Sequence, residues 1–387
     1  MSHAALVVIG GGPAGLAAAR GYRDGGGRGV VVILAREPHP PYGRPPLTKD
    51  YLRGELDRTE LLLEAPRWFG DHEVLLETGV AALALDPVAR LVHTQERGAL
   101  SFEHCVLATG ARPQRPDLPG ADDPAVQTVR TVEDSDALQQ LEPGTRVIVV
   151  GSGFIGCEAA VSLAARGLRV ELMTDEEQPQ ARRLGDEVGD LLAGWLREAG
   201  VSLRLGRPVA AIAPGGRGVV LESGERLEAS TVVLALGIEP DIELGRAAGL
   251  EVESGRLLCD ESGRTSAERV LAAGDAARLL NPVAGRHLGV EHWGEALAQG
   301  ELAGRTAAGS QARWEAVPGF WSTIGKRTIK QAAWGDGHDE VRLRDGGDGW
   351  TAWYGHEGRC VGVLTHQRDE DYERGSELVA AGAPLPR

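Results

Sequence analysis

Lysine is scarce in this sequence. Of its 41 lysine and arginine residues only three are lysine, namely Lys49, Lys326 and Lys330. Arginine supplies the rest of the positive charge, so charge alone gives no reason to keep a lysine at any position. Lys49 stands by itself in the stretch PHPPYGRPPLTKDYL, and this isolation predicts a site that needs a compact ammonium group.

The chain also lacks an excess of positive charge and lacks long apolar runs. Its net charge is −15 over 387 residues; nucleic acid and anionic membranes attract a positive field, so neither partner is expected. No apolar run approaches the ~18 residues of a membrane span, and the start, MSHAALVVIGGG, shows no basic leader. We expect a cytoplasmic protein of two or three domains, with no pattern that indicates an oligomeric state.

Cysteine is rare and scattered. Cys105, Cys157, Cys259 and Cys360 form no C-x-x-C and no other close pair. This spacing excludes a short-spaced redox dithiol and argues against a cysteine-built metal site, so no metal centre is predicted. We expect four small buried apolar side chains in a reducing compartment.

One pattern occurs twice along the chain. ALVVIGGGPAGLAAARGYRDGG and TRVIVVGSGFIGCEAAVSLAARGLRVELMTDEE each begin with a β-branched run, pass through glycines and continue with helical composition. Both predict a strand, a tight turn and a helix. The fold class expected is therefore α/β, with two Rossmann-like dinucleotide-binding domains and a small C-terminal α+β domain that contains an antiparallel sheet.

Two similar segments, HCVLATGARP and TVVLALGIEP, mark where the chain leaves one sheet for another. They predict a discontinuous dinucleotide-binding domain over residues 1–114 and 239–312. A second, inserted dinucleotide-binding domain is predicted over residues 115–238. The tryptophan-rich, alternating texture after that predicts the C-terminal sheet domain over residues 313–387.

The first glycine turn satisfies G-x-G-x-x-G through Gly10, Gly12 and Gly15. Such a turn lets the backbone approach a pyrophosphate and directs free N–H groups of a helix start at its charge. Glu37 follows the next predicted strand, where it can accept hydrogen bonds from adenosine ribose hydroxyls. Together these features predict a dinucleotide site.

The second turn contains Gly151, Gly153 and Gly156. Asp175 or Glu176, after the following strand, can hold the ribose diol of NADH and would repel a 2′-phosphate. NADH is therefore favoured over NADPH, although Arg182 and Arg183 lie close enough in sequence to soften that preference.

A third pattern, ERVLAAGDAARL, brings Gly274 and Asp275 to a turn that is predicted to open a helix. Asp275 and the helix start could meet a polar chain such as the ribityl diphosphate of FAD. Asp275 could equally serve as the N-cap of that helix.

The order of GGGPAG, PYGRPPLTKDYL, LATGARP, VGSGFIGCEAA, LALGIEP, LAAGDAA and VEHWGEALAQG resembles the FAD-dependent NADH-ferredoxin, rubredoxin and putidaredoxin reductases. These flavoproteins supply electrons to bacterial oxygenases and cytochromes P450, and the apoptosis-inducing-factor flavoproteins are similar. The resemblance extends from residue 4 to about residue 322. It implies an FAD domain, an inserted NADH domain and a C-terminal sheet domain.

The resemblance also implies which residues bind the two cofactors. FAD would be held by Gly10, Gly12, Pro13, Ala14, Gly15, Glu37, Arg44, Lys49, Ala108, Thr109, Gly110, Gly274, Asp275, Glu291, His292, Trp293 and Trp321. NADH would be held by Gly151, Gly153, Phe154, Ile155, Gly156, Glu158, Asp175, Glu176, Arg182 and Gly237. The helix that starts near Glu291, His292 and Trp293 would point its N-terminus at the pyrimidine edge of the flavin.

Lys49 and Glu158 are the implied catalytic pair. Beside flavin N5, an ammonium group donates to one point without a flat fork colliding with the ring, and it favours negative charge on the reduced ring. Glu158 would orient Lys49 and neutralise it when NADH is absent. The alternative is that Lys49 is a solvated residue at a helix start.

The chain departs from the family near the C-terminal domain. Relatives carry an aromatic pair followed by Ser-Asp-Gln, whereas this sequence has Phe320, Trp321 and Ser322 followed by Thr323 and Ile324. Trp321 could cover the flavin edge or could be a core tryptophan. In the second dinucleotide domain Thr174 replaces a common glutamate, which predicts a displaced ribose contact.

Lys326, Arg327 and Lys330 form the one lysine cluster of the sequence. It could be a docking patch for an acidic ferredoxin or an ordinary solvated face.

The function predicted is hydride transfer from NADH to FAD, followed by electron transfer to a small acidic iron–sulfur protein. Because hydride transfer needs no enzyme acid or base, positioning and the field around N5 would be the catalysis. Two alternatives stay open: a partner-free NAD(P)H oxidase or quinone reductase, and a binding protein whose assembly responds to reduction by NADH.

Overall fold

The computed structural model describes residues 2–95 and 98–387. The chain forms two compact units, each assembled from separate stretches. Unit 1 consists of Met1–Gly43, Leu62–Arg112 and Pro240–Phe320, and unit 2 of Arg44–Leu61, Pro113–Glu239 and Trp321–Arg387. The short stretch Arg44–Leu61, which contains Lys49, thus belongs to unit 2 although its flanks belong to unit 1.

The helices and strands follow in chain order. The first stretch contains β1 Ser2–Ile9, α1 Pro13–Asp24, β2 Val31–Ala35, α2 Pro66–Asp71, β3 Val74–Thr78, β4 Ala82–Asp86, β5 Leu91–Thr94, β6 Gly98–Leu107 and β7 Ala111–Pro113. The second contains α3 Val132–Gln139, β8 Arg146–Val150, α4 Phe154–Ala165, β9 Arg169–Met173, α5 Ala181–Leu184, α6 Asp186–Glu198, β10 Ser202–Arg204, β11 Val209–Ile212, β12 Gly218–Leu221, β13 Arg226–Glu228, β14 Thr231–Leu234 and β15 Ile238–Pro240. The third contains α7 Glu243–Ala247, β16 Val252–Glu253, β17 Arg256–Cys259, β18 Val270–Ala272, β19 Ala277–Asn281, β20 Arg286–Leu288 and α8 Trp293–Ala307. The last contains β21 Gly319–Ile324, β22 Arg327–Ala333, β23 Glu340–Asp345, β24 Trp350–His356, β25 Arg359–His366 and α9 Asp369–Ala380. Short 3-10 turns lie at Pro45–Thr48, Arg58–Leu61, Pro214–Gly216 and Gly274–Ala276.

Unit 1 is built on a seven-stranded sheet with the order β3-β2-β1-β6-β5-β4, in which β18 also pairs with β6. The pairs among β3, β2, β1, β6 and β18 are parallel. Strand β1 is apolar along most of its length, and Leu6, Val7 and Val8 are fully buried. A continuous apolar run of this kind is typical of a parallel strand covered on both faces. A second sheet, β16-β17-β19-β20, completes the unit.

Helices α1 and α8 of unit 1 pack with their backbones in contact. A Cβ atom at Gly300 would lie 2.2 Å from the carbonyl oxygen of Ala14, and one at Gly304 would lie 2.0 Å from that of Ala18. Because no side chain fits between these helices, glycine at both positions sets how closely α8 approaches the glycine turn that precedes α1.

Unit 2 contains a parallel sheet, β10-β9-β8-β14, and a three-stranded antiparallel sheet, β11-β12-β13. Ile148, Val150, Met173 and Val232 share one buried cluster with apolar residues of β11 and β12. The third sheet of the unit has the order β21-β22-β25-β24-β23, and its pairs β22–β25, β24–β25 and β23–β24 are antiparallel.

The predicted fold class is confirmed. Each glycine turn joins a parallel strand to a helix, and an antiparallel sheet lies near the C-terminus. The three-domain division at residues 114, 238 and 312 stays a prediction; the two compact units break at 112 and 239, and at 320. None of the helices in the described part of the chain is long and apolar enough to cross a membrane.

The turn at Gly274 corrects one sequence prediction. It was expected to open a helix, but Gly274–Ala276 is a single 3-10 turn, and β19 follows directly. Strand β19 pairs with β17 on one side and β20 on the other. The composition of this segment, rich in Ala and Leu, favours a helix, but pairing with two strands outweighs that preference.

Substituting Gly304→Ala should separate α1 from α8. We expect the free energy of unfolding to fall by about 1–3 kcal/mol, which is typical of overpacking. Gly294→Ala on the same helix is the matched control, because a Cβ there meets nothing within 4 Å; it should be neutral or stabilising by up to ~1 kcal/mol. Denaturant unfolding measures both, and equal effects would contradict the backbone contact.

Candidate functional site

The three glycines of the first turn, Gly10, Gly12 and Gly15, have different steric surroundings. A Cβ at Gly10, whose φ is +127°, would lie 2.0 Å from the carbonyl oxygen of Ala108, and one at Gly15 would lie 1.9 Å from that of Gly10. A Cβ at Gly12 would meet nothing within 4 Å. Gly10 and Gly15 thus allow the tight turn, whereas Gly12 leaves open space before the start of α1, where Pro13 and Ala14 follow.

The second glycine turn repeats this geometry. A Cβ at Gly151, with φ +107°, would lie 2.3 Å from the carbonyl oxygen of Ala235, and one at Gly156 would lie 2.1 Å from that of Gly151. At Gly153 it would again meet nothing within 4 Å. Phe154 begins α4, and Ile155 is exposed.

Both turns fit a diphosphate. The N-cap residues Gly12 and Gly153 provide no side-chain cap, and neither α1 nor α4 has an acidic residue in its first turn. The N–H groups and the positive end of the helix dipole are therefore available to an anion. The open space at the middle glycine is the cradle that a phosphate would fill.

Glu37 lies two residues beyond β2, and its carboxylate accepts a hydrogen bond from the hydroxyl of Tyr42. Tyr42 is buried, so it fixes the direction of the acid predicted to bind ribose. Sequence reasoning did not single out Tyr42, because a hydrogen bond across five residues of irregular loop leaves no periodic pattern.

Asp275 lies inside the 3-10 turn, whose N-cap position is Ala273 and has no side-chain cap bond. The N-cap alternative for Asp275 is therefore wrong. Gly274, with φ +73°, donates its N–H to Gln299 Oε1 at 3.0 Å. Arg256 was missed by sequence analysis; its buried guanidinium contacts the carbonyl of Asp275 and the carboxylate of Glu291.

Helix α8 begins at Trp293 with His292 as its N-cap residue, close to where the resemblance implied. The His292 ring stacks on Phe320 with centroids 4.4 Å apart. Glu295 in the first turn accepts hydrogen bonds from Trp314 and from the N–H of Gly319. Burial raises the pKa of Glu295 above its usual range.

The main chain of Asp241 forms hydrogen bonds with the segment that follows β6. Thr109 Oγ1 donates to the carbonyl of Asp241 at 2.5 Å, and the N–H of Asp241 donates to the carbonyl of Gly110 at 2.8 Å. Ala108 donates its N–H to the carbonyl of Ile9. Ala108, Thr109 and Gly110 thus border the first glycine turn.

The acids predicted to bind the NADH ribose lie after β9. Asp175 pairs with Arg182 at 2.8 Å, and both side chains are exposed. This hydrogen bond raises the pKa of Arg182. Glu176 accepts the N–H of Arg182 at 2.8 Å, so both acids face this arginine. Gly237, at the end of the segment after β14, accepts the N–H of Gln114.

Lys49 and Glu158 form a largely buried ion pair in unit 2. Lys49 Nζ lies 2.5 Å from Glu158 Oε2, and the side chains are 14% and 6% exposed. The alternative that Lys49 is solvated is therefore wrong. Lys49 Nζ also donates to the carbonyl of Pro45 at 3.1 Å, and Thr48 Oγ1 donates to Glu158 Oε2 at 2.6 Å.

Buried serines hold the turn that carries Lys49. Ser135 of α3 donates to the carbonyl of Leu47 at 3.0 Å, and Ser162 of α4 donates to that of Thr48 at 2.7 Å. Arg44 donates to the carbonyl of Arg130 at 2.6 Å. These bonds to main-chain carbonyls fix Lys49 over the second turn of α4, where Glu158 lies.

The altered WSTI segment serves the same carboxylate. Ser322 Oγ donates to Glu158 Oε1 at 2.6 Å, and the N–H of Thr323 donates to the same oxygen at 3.2 Å. Ile324 is buried. Trp321 is 48% exposed, so the alternative of a core tryptophan is wrong.

The lysine cluster carries less free charge than its composition suggests. Arg327 pairs with Glu198 at 2.6 Å, and Lys330 pairs with Asp369 at 2.8 Å. Both side chains are exposed, so the structure favours the solvated face over the docking patch. Within the described residues, no three His, Cys, Asp or Glu side chains are grouped as they would be around a metal ion.

Comparison with known proteins decides the family. Residues 4–300 match the family described as "Pyridine nucleotide-disulphide oxidoreductase". The chain belongs to this family. Among its relatives, rhodocoxin reductase of Rhodococcus erythropolis is 32% identical over 386 residues, which cover 98% of this chain and 90% of the relative. A ferredoxin–NAD(P)(+) reductase of a Sphingomonas species is 32% identical over 390 residues, covering 99% and 94%.

The crystal structure of the covalent putidaredoxin reductase–putidaredoxin complex matches with a TM-score of 0.92 at 27% identity, covering 99% of this chain and 94% of the other. The resemblance inferred from the motifs is thus confirmed. This pyridine nucleotide-disulphide oxidoreductase is a flavoprotein of the ferredoxin-reductase type that uses FAD and NAD(H).

This oxidoreductase has no disulfide of its own among the described residues. Cys105, Cys157, Cys259 and Cys360 are all free and buried. Burial raises the pKa of Cys259 to about 12 and that of Cys105, Cys157 and Cys360 above its usual range. A buried thiol that is not ionised is a poor nucleophile.

The native protein should therefore react with no thiol reagent at pH 8 on the timescale of minutes, because reaction needs both access and a thiolate. Titration with a chromogenic disulfide, before and after unfolding in guanidinium, measures this. Four thiols should appear only on unfolding. A thiol that reacts rapidly in the folded protein would contradict the burial found here.

Proposed function

We propose that this protein takes hydride from NADH onto bound FAD and passes the electrons to a small acidic iron–sulfur protein that serves an oxygenase or a cytochrome P450. The observation that carries the proposal is the Lys49–Glu158 pair, 2.5 Å apart and largely buried. Glu158 lies in α4, the helix that begins at the second glycine turn. The names of the relatives support the proposal that the electron acceptor is an iron–sulfur protein. The free, buried thiols agree with a cytoplasmic location.

Each dinucleotide has a proposed place. In unit 1, Gly10, Gly12 and Gly15 would hold the diphosphate of FAD, and Glu37 its ribose. In unit 2, Gly151, Gly153 and Gly156 would hold the diphosphate of NADH. When bound, FAD would supply the chemistry, which is acceptance of a hydride and release of two electrons singly. The protein's own contribution is position and charge.

Lys49 would contribute a fixed positive charge and a single hydrogen-bond donor at flavin N5. Its ammonium is aligned before reaction by Glu158 and by the carbonyl of Pro45, so no reorganisation is needed when negative charge develops nearby. An arginine would present a planar fork of five donors, which this arrangement of one carboxylate oxygen and one carbonyl does not match.

The preference for NADH would depend on Asp175 and Arg182. A carboxylate at the end of β9 accepts hydrogen bonds from a ribose diol and repels a 2′-phosphate. Arg182, paired with Asp175, offsets this repulsion. We propose NADH as the preferred donor, with NADPH accepted to a lesser degree.

An acidic partner would have to meet a local basic surface, because the whole chain has a net charge of −15.

A second candidate function is a partner-free oxidase or quinone reductase. It is favoured by one observation, that Thr323 and Ile324 replace the polar pair and Ile324 is buried. Steady-state reduction of cytochrome c with and without added ferredoxin separates the two: dependence on ferredoxin supports the first.

Replacing Lys49→Met should slow reduction of the flavin by NADH about 10- to 100-fold, the effect expected on removal of a preorganised charge. Lys49→Arg should also be slow, because arginine keeps the charge but not the compact single donor. Anaerobic stopped-flow absorbance of the FAD-loaded protein measures the step without any acceptor.

Arg204→Met is the control for Lys49→Met. Arg204 also forms an ion pair in unit 2, at 2.5 Å from Glu171, but it is more exposed. Its removal should leave the reduction rate within about twofold, as expected of an exposed pair. Equal rates for the Lys49 variants and the unmodified protein would remove Lys49 from the mechanism.

Arg182→Ala should increase discrimination against NADPH, because it removes the cation that offsets the charge of Asp175. The ratio of kcat/KM for NADH to that for NADPH should rise a few-fold, since an exposed charge contact is screened by solvent. Asp175→Asn should lower the same ratio. A ratio unchanged in both variants would place the ribose elsewhere.

A further inference from the structure

The Glu158 carboxylate receives four hydrogen bonds, two on each oxygen. Oε2 accepts from Lys49 Nζ and Thr48 Oγ1. Oε1 accepts from Ser322 Oγ and the N–H of Thr323. The two oxygens thus face different parts of unit 2, since Oε2 is turned to the segment that carries Lys49 and Oε1 to strand β21.

Ser322 differs from its neighbours on β21. Its side chain is 1% exposed, whereas Trp321 before it is 48% exposed. This alternation follows the two-residue period of a strand. The hydroxyl of Ser322 therefore points to one face, and its hydrogen bond to Glu158 Oε1 is 2.6 Å long. A buried hydroxyl that donates to a carboxylate forms one of the stronger hydrogen bonds in proteins.

We propose that Ser322 is a positioning residue for hydride transfer: its hydrogen bond to Glu158 Oε1 keeps the charge of Glu158 shared between two sets of donors, so that Oε2 does not neutralise Lys49 fully. The inference rests on the proposed function, because it assigns Ser322 a role through the Lys49–Glu158 pair.

The physical reason is the balance of donors around one buried charge. Loss of the Ser322 hydroxyl would leave Oε1 with the 3.2 Å bond from Thr323 alone. The carboxylate would then concentrate its interaction on Lys49, and the positive field that Lys49 offers would fall. Flavin reduction should become slower, and the flavin should become harder to reduce.

This role also accounts for the altered WSTI segment. Ser322 is kept and bonds Glu158, whereas Thr323 contributes its main-chain N–H, which any residue except proline can supply. Thr323 Oγ1 contacts Thr328 Oγ1 instead, at 3.0 Å. The loss of the polar pair after Ser322 therefore leaves the donors to Glu158 intact.

The test is Ser322→Ala in the FAD-loaded protein. The rate of flavin reduction by NADH should fall about tenfold, the change expected when a barrier rises by ~1.4 kcal/mol. The dissociation constant for NADH should change less than about twofold, because no NADH contact is removed. The flavin midpoint potential should shift to more negative values, which a purely structural role would not produce.

Thr351→Val is the matched control. Thr351 is also a buried hydroxyl of the antiparallel sheet in unit 2, and it donates to the carboxylate of Asp371 at the same distance, 2.6 Å. It should lower stability as much as Ser322→Ala does but leave rate and potential unchanged. If the two variants change rate and potential alike, the effect is general destabilisation and the proposal is wrong.

A double-mutant cycle with Glu158→Gln separates a role of Ser322 that acts through Glu158 from an independent role of Ser322. If Ser322 acts through Glu158, Ser322→Ala should add nothing to the rate change that Glu158→Gln causes. Additive effects would show an independent role and overturn the inference. If Glu158→Gln itself leaves rate and potential unchanged, the proposed function of the pair fails. Ser322→Thr keeps the hydroxyl and should recover the rate.

Discussion

A buried carboxylate needs hydrogen-bond donors, and the donors to Glu158 come from distant parts of the sequence. Glu158 is 6% exposed; a charge removed from water to this extent is tolerated only when it is paired and its lone pairs are satisfied. The turn at Pro45–Thr48, helix α4 and strand β21 each contribute to this one group. The requirement explains why the short stretch Arg44–Leu61 joins unit 2 although its chain neighbours belong to unit 1. It also makes the position of Lys49 a property of the whole unit.

The two glycine turns have closely similar geometry, with two tight backbone contacts and one open middle glycine each, but their surroundings differ. Around the first, Gly274 and Gly300 bring the 3-10 turn and α8 against Ala14. At the second, Ile155 in the first turn of α4 is 38% exposed. A turn enclosed by packed glycines suits a dinucleotide that stays bound, and an exposed one suits a dinucleotide that exchanges. This difference agrees with the proposed assignment of the first turn to FAD and of the second to NADH.

Features encoded locally could be predicted from the sequence. The strands and glycine turns follow from short patterns, and the isolation of Lys49 among arginines marked it before any fold was known. Features that depend on distant contacts could not. Arg256 reaches Asp275 and Glu291 from another strand, and Tyr42 contacts Glu37 within an irregular loop. Ser322 was noted as a residue that the chain keeps, but its partner lies 164 positions away. The segment after Asp275 was expected to be helical because its composition is helical, and strand pairing decided otherwise.

The most direct test of the account is a crystal structure of the FAD-loaded protein, in which the distance from Lys49 Nζ to flavin N5 is measured. The account predicts a separation within hydrogen-bond reach, about 3–3.5 Å, with Glu158 still bonded to Lys49 and Ser322. A separation beyond about 6 Å, where a charge no longer acts strongly on its neighbour, would contradict it.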